Sequence, residues 1–161
     1  MADLHEIEAI KRLKYRYCRC LDEKRWEELG QCLAEDATSS YSDGTYSFTG
    51  RAAIMAFLRD ALGPASRVSS HRVHQPEIDL TSPTTATGIW ALDDVVIETG
   101  ANLTIRGAAF YHDEYVKVDG EWKIKATGYA RLYEEMESRT DTPSLRLTAC
   151  RWAGGDRGTS P

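Results

Sequence analysis

Apolar residues recur every three or four positions at the start of the chain: Leu4, Ile7, Ile10, Leu13 and Tyr17. This period predicts an amphipathic helix, with Lys11, Lys14 and Arg16 elsewhere on the cylinder. Asp3 with Glu6 has the form of a capping box, Asp standing in for the usual Ser or Thr. A second, shorter helix is expected to carry Trp26, Leu29 and Leu33, leading into a first strand at 37–41. Asp43-Gly44 marks a turn, and Thr45 to Phe48 can return as a short strand. A third helix, capped by Thr49, carries Ile54, Phe57, Leu58 and Leu62 and stops at Gly63-Pro64.

Beyond residue 66 the period changes. Four extended segments, roughly 67–81, 85–98, 103–118 and 121–133, are separated by turn sequences, which predicts an antiparallel meander. Straight strands of fourteen residues would run about 46 Å, longer than a domain of this size is wide, about 40 Å. Each segment carries a breaker near its middle, Pro76, Gly88, Gly107 or Gly128, so the strands are expected to bend there. Across Pro76 the apolar parity flips from odd (Val73) to even (Ile78, Leu80), as one bulge residue would cause. Helices first and a bent sheet afterwards predict an α+β fold: three N-terminal helices on a strongly curved antiparallel sheet, with a pocket between the first helix and the sheet. The domain is expected to span 1–139. Residues 140–161 read as a loosely ordered tail whose Leu145, Leu147 and Trp152 can dock on the domain or on a neighbouring subunit.

Composition narrows the classes. With 161 residues, 42% apolar and 28% charged, the chain suits one folded domain with a core. No window supplies the run of about 20 apolar residues that a membrane helix needs, and the N-terminus lacks a signal-peptide core, so no membrane role is expected. Net charge is −5 and the basic residues are scattered, which argues against nucleic acid as a partner. Cys18, Cys20, Cys32 and Cys150 form no CxxC pair and read as small hydrophobes in a reducing cytoplasm. No phosphate loop, metalloprotease, serine-hydrolase or flavin signature appears, so neither metal nor cofactor is expected.

Five segments carry a resemblance: Tyr17-xxxx-Asp22, WEELGQCLAEDA at 26–37, SxHxxxxPEI at 69–78, TATGIWAL at 85–92 and YHDEYVKVDGEWKI at 111–124. In this order they resemble the SnoaL-like branch of the nuclear-transport-factor-2-like superfamily over residues 4–133. Relatives there include scytalone dehydratase, bile-acid 7α-dehydratase, hexachlorocyclohexane dehydrochlorinase, polyketide cyclases and ketosteroid isomerases, together with non-catalytic binding domains. The resemblance implies a cone-shaped α+β barrel with a deep apolar pocket, and pairing or trimerisation into a homodimer or homotrimer. It also implies a cofactor-independent lyase of dehydratase type. Its ligand would be a hydrophobic cyclic carbonyl compound: a steroid, a polyketide or an aromatic catabolite. A double-bond isomerase, a polyketide cyclase and a binding or accessory domain are the alternatives.

Within that resemblance His71 is the general base, Asp22 its orienting partner and Tyr17 a donor to developing oxygen charge. A carboxylate on one imidazole nitrogen fixes the tautomer and stabilises the imidazolium that forms. The dehydrochlorinase relatives carry Lys where this chain has Tyr17, which argues against halide elimination. His74 is a second candidate, but spacing of three on a strand places it opposite His71, so a metal pair is not expected. Tyr111, Asp113 and Tyr115 are expected to face inward and His112 outward. Asp113 then needs a buried partner, for which Arg131 and His71 are the candidates. Trp26, Tyr41, Phe57, Trp90, Phe110, Tyr111 and Tyr129 are candidate ligand-lining aromatics, and Trp122 reads as hairpin packing.

Overall fold

A computed structural model describes residues 2–152. Three helices, α1 (Ala2–Asp22), α2 (Trp26–Gln31) and α3 (Arg51–Leu62), pack on one six-stranded sheet. Its strands are β1 (Leu33–Tyr41), β2 (Tyr46–Thr49), β3 (Arg67–Ser82), β4 (Thr85–Glu98), β5 (Leu103–Val118) and β6 (Glu121–Ser138). The order β2-β1-β6-β5-β4-β3 leaves β2 and β3 as edges, so the sheet is not closed. The four long strands form the expected antiparallel meander, whereas β1 lies parallel to β6 and makes the sheet mixed. Among the described residues no helix is long and apolar enough to cross a membrane.

The bends have local causes. The β3–β4 register shifts between His74 and Glu77, and Gln75 takes φ 46°, so one bulge residue beside Pro76 reverses the inward parity of β3. His71 and Val73 face the helices on one side of it, Ile78 and Leu80 on the other, as the parity flip predicts. The β4–β5 register, by contrast, runs through Gly88 and Gly107 without a shift. The glycines serve close approach instead. A Cβ on Gly128 would collide with the Ser40 carbonyl of the parallel neighbour β1. On Gly107 it would sit 2.7 Å from the Tyr133 carbonyl oxygen and 2.8 Å from Arg131 Nη1.

Two helix boundaries differ from expectation. Leu33 belongs to β1, not α2. Gly50, at φ 88°, replaces Thr49 as the residue before α3, and no side-chain cap forms there. The amphipathic reading of α1 holds for Ile10, Leu13 and Tyr17, all buried, whereas Leu4 is 70% exposed on the first turn. The largest departure is Lys14, which is fully buried rather than on the outer face.

The end of α1 is fastened to the end of α3. Lys24 adopts φ 56°, in the left-handed region that terminates helices, and Arg25 N–H bonds the Cys20 carbonyl at 2.8 Å. The Lys24 ammonium then donates to the carbonyls of Leu62 (2.6 Å), Pro64 (2.7 Å) and Arg67 (2.9 Å), satisfying the open C-terminus of α3. Asp22 and the first residues of β3 are thereby held at one end of the molecule. A 3-10 turn at Arg139–Asp141 follows β6. The chain then reaches back to α1, where Arg151 meets Glu23 at 3.1 Å and Trp152 lies 5.2 Å from the Lys24 ammonium. Leu145 and Leu147 stay exposed, and residues 153–161 of the expected tail lie outside the described residues.

Replacing Gly128 by Ala is expected to cost about 1–3 kcal/mol, since backbone rather than a flexible side chain blocks the new methyl. Urea denaturation of the variant measures this.

Candidate active site

Three polar centres lie along the face of α1 that meets the sheet. At 100° per residue, Lys14, Cys18 and Asp22 drift slowly around the helix, with Tyr17 at one border of that face and Asp22 roughly 140° away at the other.

The first centre joins α1 to β3. Asp22 Oδ1 lies 2.7 Å from His71 Nδ1 and accepts from Ser69 Oγ at 2.8 Å, while Oδ2 accepts the His71 backbone N–H at 2.8 Å. Three contacts from one strand leave the carboxylate a single orientation. An ionised Asp22 requires a proton on Nδ1, so the lone pair of the neutral ring sits on Nε2. The imidazole is 10% exposed and borders a groove of about 450 Å³ between α1 and β3 that also includes Tyr15, Cys18 and Val73. That recess is a groove between elements, not the deep apolar chamber expected from the resemblance. His74 points to the opposite face and pairs with Asp93 at 3.3 Å. No group of three or more metal-ligating side chains occurs among the described residues.

The second centre is a pair of phenols. Tyr17 Oη lies 3.1 Å from Tyr41 Oη, both rings buried. Only one phenol hydrogen can lie between the two oxygens, so the other remains free to donate. Burial pushes both hydroxyls above their ordinary value of 10.0, Tyr17 strongly, so both are protonated donors at neutral pH. Tyr41 also stacks on Phe57 at 5.7 Å and meets Tyr129 at 5.8 Å.

The third centre is an ion pair that sequence reasoning missed. Lys14 Nζ lies 2.7 Å from Asp113 Oδ2, with both side chains fully buried. Asp113 also accepts from Tyr115 (2.7 Å) and Thr127 (2.7 Å), and Trp90 Nε1 donates to the Tyr115 hydroxyl at 2.8 Å. The ammonium sits 3.4 Å above the Tyr111 ring centre. Neither Arg131 nor His71 is the partner of Asp113. Arg131 instead grips Asp94 with both guanidinium ends, one at 3.0 Å. A signal for Lys14 existed: around the helix it falls between Leu21 and Cys18, both buried apolar positions.

A model of the SnoaL-like domain family matches residues 2–128. The chain belongs to the SnoaL-like family. A provisional scytalone dehydratase of Novosphingobium aromaticivorans is similar at 31% identity, over 84% of this chain and 91% of that one, with a TM-score of 0.77. A hexachlorocyclohexane dehydrochlorinase from Novosphingobium barchaimii shares the fold at 20% identity, over 84% and 92%, with a TM-score of 0.75. So does a protein described as NTF2-like with a cystatin-like fold, again from Novosphingobium aromaticivorans, at 21% identity over 80% and 83% and a TM-score of 0.66.

The remaining aromatics of this SnoaL-like domain divide by position. Trp90 and Tyr111 are buried inside, and Tyr129 lies partly buried with its hydroxyl 3.1 Å from Ser42 Oγ. Phe57 is half-buried against Phe48 and Tyr46 at the α3 side. Trp26 of α2 is half-buried against the core, with the Arg59 guanidinium over its ring. Phe110 is 39% exposed on the outer face, because its parity on β5 is opposite to that of Tyr111; it cannot line the interior. His112 is exposed, as expected. Trp122 is buried and donates to Glu6 of α1 at 2.5 Å, so it packs on a helix as well as on its hairpin. Burial lifts the Cys18 thiol to about 12, leaving it unreactive as a nucleophile.

Two outcomes follow. Lys14→Met leaves Asp113 buried without its cation and is expected to cost about 3–5 kcal/mol in urea denaturation, whereas Lys14→Met with Asp113→Leu recovers most of that loss. Above pH 10 the stability is expected to fall. Unfolded tyrosines lose their protons there while the buried hydroxyls of Tyr17, Tyr41, Tyr111 and Tyr115 retain them, so the unfolded state binds fewer protons and unfolding is favoured as pH rises. Denaturation midpoints between pH 8 and 11 measure this.

Proposed function

We propose that this SnoaL-like domain is a cofactor-independent lyase of dehydratase type, acting on a hydrophobic cyclic carbonyl compound. The observation that carries the reading is the Asp22–His71 contact at 2.7 Å, with Nδ1 committed to the carboxylate and Nε2 left as the base. Nε2 takes a proton from the carbon beside the substrate carbonyl, and the C–H electrons move toward the carbonyl carbon. Negative charge gathers on the carbonyl oxygen, and this reading assigns its stabilisation to the protonated Tyr17–Tyr41 pair, which is buried and does not itself line the groove beside His71. When the electrons return to form the new C=C bond, the C–O bond at the neighbouring carbon breaks. The imidazolium gives its proton to the departing hydroxide, and water leaves. The proton borrowed is the proton returned, so the cycle needs no oxidant, metal or second substrate. Asp22 offsets the imidazolium charge during the interval.

The dehydratase and dehydrochlorinase names among its structural relatives support an elimination, and Tyr17 favours loss of hydroxide, for which a phenol donor suffices, over loss of halide. The groove beside His71 also suits a second reading, a small-molecule-binding domain of the same fold. A panel of β-hydroxy ketones on steroid and aromatic frameworks, followed for water loss, separates the two. The lyase reading expects turnover that falls by about 10²–10⁴ in His71→Ala, and by about 10²–10³ in Tyr17→Phe. Binding without turnover across the panel, with affinity unchanged in His71→Ala, supports the binding domain instead.

A further inference from the structure

His71 has a second acidic neighbour. In the β3–β4 ladder it stands directly opposite Asp94. Residues paired this way in antiparallel strands share a face, with their Cβ atoms about 4.5–5.5 Å apart. That face is the inner one: His71 meets Asp22 of α1 there, the adjacent pair Val73 and Leu92 packs inside, and Asp94 is only 7% exposed. Asp94 is in turn gripped by Arg131, two strands away on β6. The guanidinium reaches it by crossing β5 at Gly107, the residue paired with Asp94, where any side chain would come within 2.8 Å of Nη1. One strand is left bare at the point where the arginine must pass.

The other charged groups around the imidazole are neutral or engaged elsewhere. On α1, Arg19 pairs with Glu23 at 3.4 Å and the Cys18 thiol stays protonated. On β3 itself, Arg72 and His74 alternate to the opposite face, where His74 meets Asp93 of β4. Asp22 and Asp94 remain.

We propose that Asp94 is a positioning residue for His71: a second carboxylate that steadies the imidazolium from the neighbouring strand, its charge set by Arg131. Asp22 fixes the ring's tautomer through Nδ1, whereas Asp94 acts through space. Arg131, which also meets Glu134 at 3.1 Å, offsets part of the Asp94 charge, so the field at the imidazole is that of the pair rather than of Asp94 alone. The proposal rests on His71 being the base.

The test needs no substrate. The imidazole of His71 is titrated by ¹H–¹⁵N NMR in the wild type, Asp94→Asn and Arg131→Gln. The proposal expects opposite shifts of the His71 midpoint: down by about one pH unit in Asp94→Asn and up by a similar amount in Arg131→Gln. Arg131→Lys, which keeps the charge, is expected to stay near wild type; if Arg131→Gln fails to fold, Arg131→Met takes its place with the same expected rise. Unchanged midpoints, or shifts of one sign in Asp94→Asn and Arg131→Gln, overturn the proposal. Turnover of His71→Ala on a substrate found by the dehydration screen keeps the two readings apart. Lost turnover with unmoved midpoints leaves the base reading standing without Asp94. Retained turnover with midpoints moved as expected leaves the electrostatic coupling standing without the base.

Discussion

Helix α1 lies in a curved sheet, and the angle at which it lies is set by a lysine that has nowhere to go but a carboxylate. A buried ammonium and carboxylate lose several kcal/mol of hydration each, which is recovered only if their geometry is close and every remaining lone pair is used. Here Asp113 accepts from Lys14, Tyr115 and Thr127, so the network spans α1, β5 and β6. Rotating α1 by one residue would strand the charge. The same rotation would carry Tyr17 away from Tyr41 and Asp22 away from β3, so the seat of the helix and the geometry of the candidate site are one constraint.

Polar chemistry is distributed over that helix in a graded way. Lys14 is deepest and fully neutralised, which suits fixing a position. Tyr17 is buried against Tyr41, and one of the two hydroxyls keeps a hydrogen that their contact does not use. Asp22 lies at the helix end beside the groove, where its carboxylate is one-fifth exposed and held by three contacts to β3. Lys24 then closes the helix and, by capping α3, holds that end in place. Lys14 and Tyr17 are both fully buried, and of the three only Asp22, at the helix end, meets solvent.

The bends of the sheet matter to the site as much as the helix does. Without the bulge at Gln75, β3 would present one parity along its whole length, and either His71 or Ile78 and Leu80 would face outward. With it, a catalytic candidate and two core residues share the inner face of a single strand. Gly107 plays a comparable part across the sheet, since its missing side chain is what admits Arg131 to Asp94. These local irregularities are where an otherwise regular meander is fitted to chemistry.

Strand lengths, turns, the break at Pro76 and the third helix were legible in the residues, because period and turn chemistry are local. Tyr17, Asp22 and His71 could be named because their spacing resembles a family, and no periodicity would have paired Asp22 with a residue 49 positions away. Lys14 was hidden because a polar residue near an apolar stripe reads as solvated. Its true environment depends on how far the sheet wraps around the helix. For the same reason Asp113 was offered the wrong partners, since β5 and β6 place it opposite α1 rather than opposite Arg131. The parallel pairing of β1 with β6 and the crossing of Arg131 over Gly107 likewise join residues that the chain separates. The amino-acid order determined the elements and where they bend; the curling of the open sheet around α1 decided which charges meet, because a buried charge takes its partner from whatever the fold brings within hydrogen-bond reach.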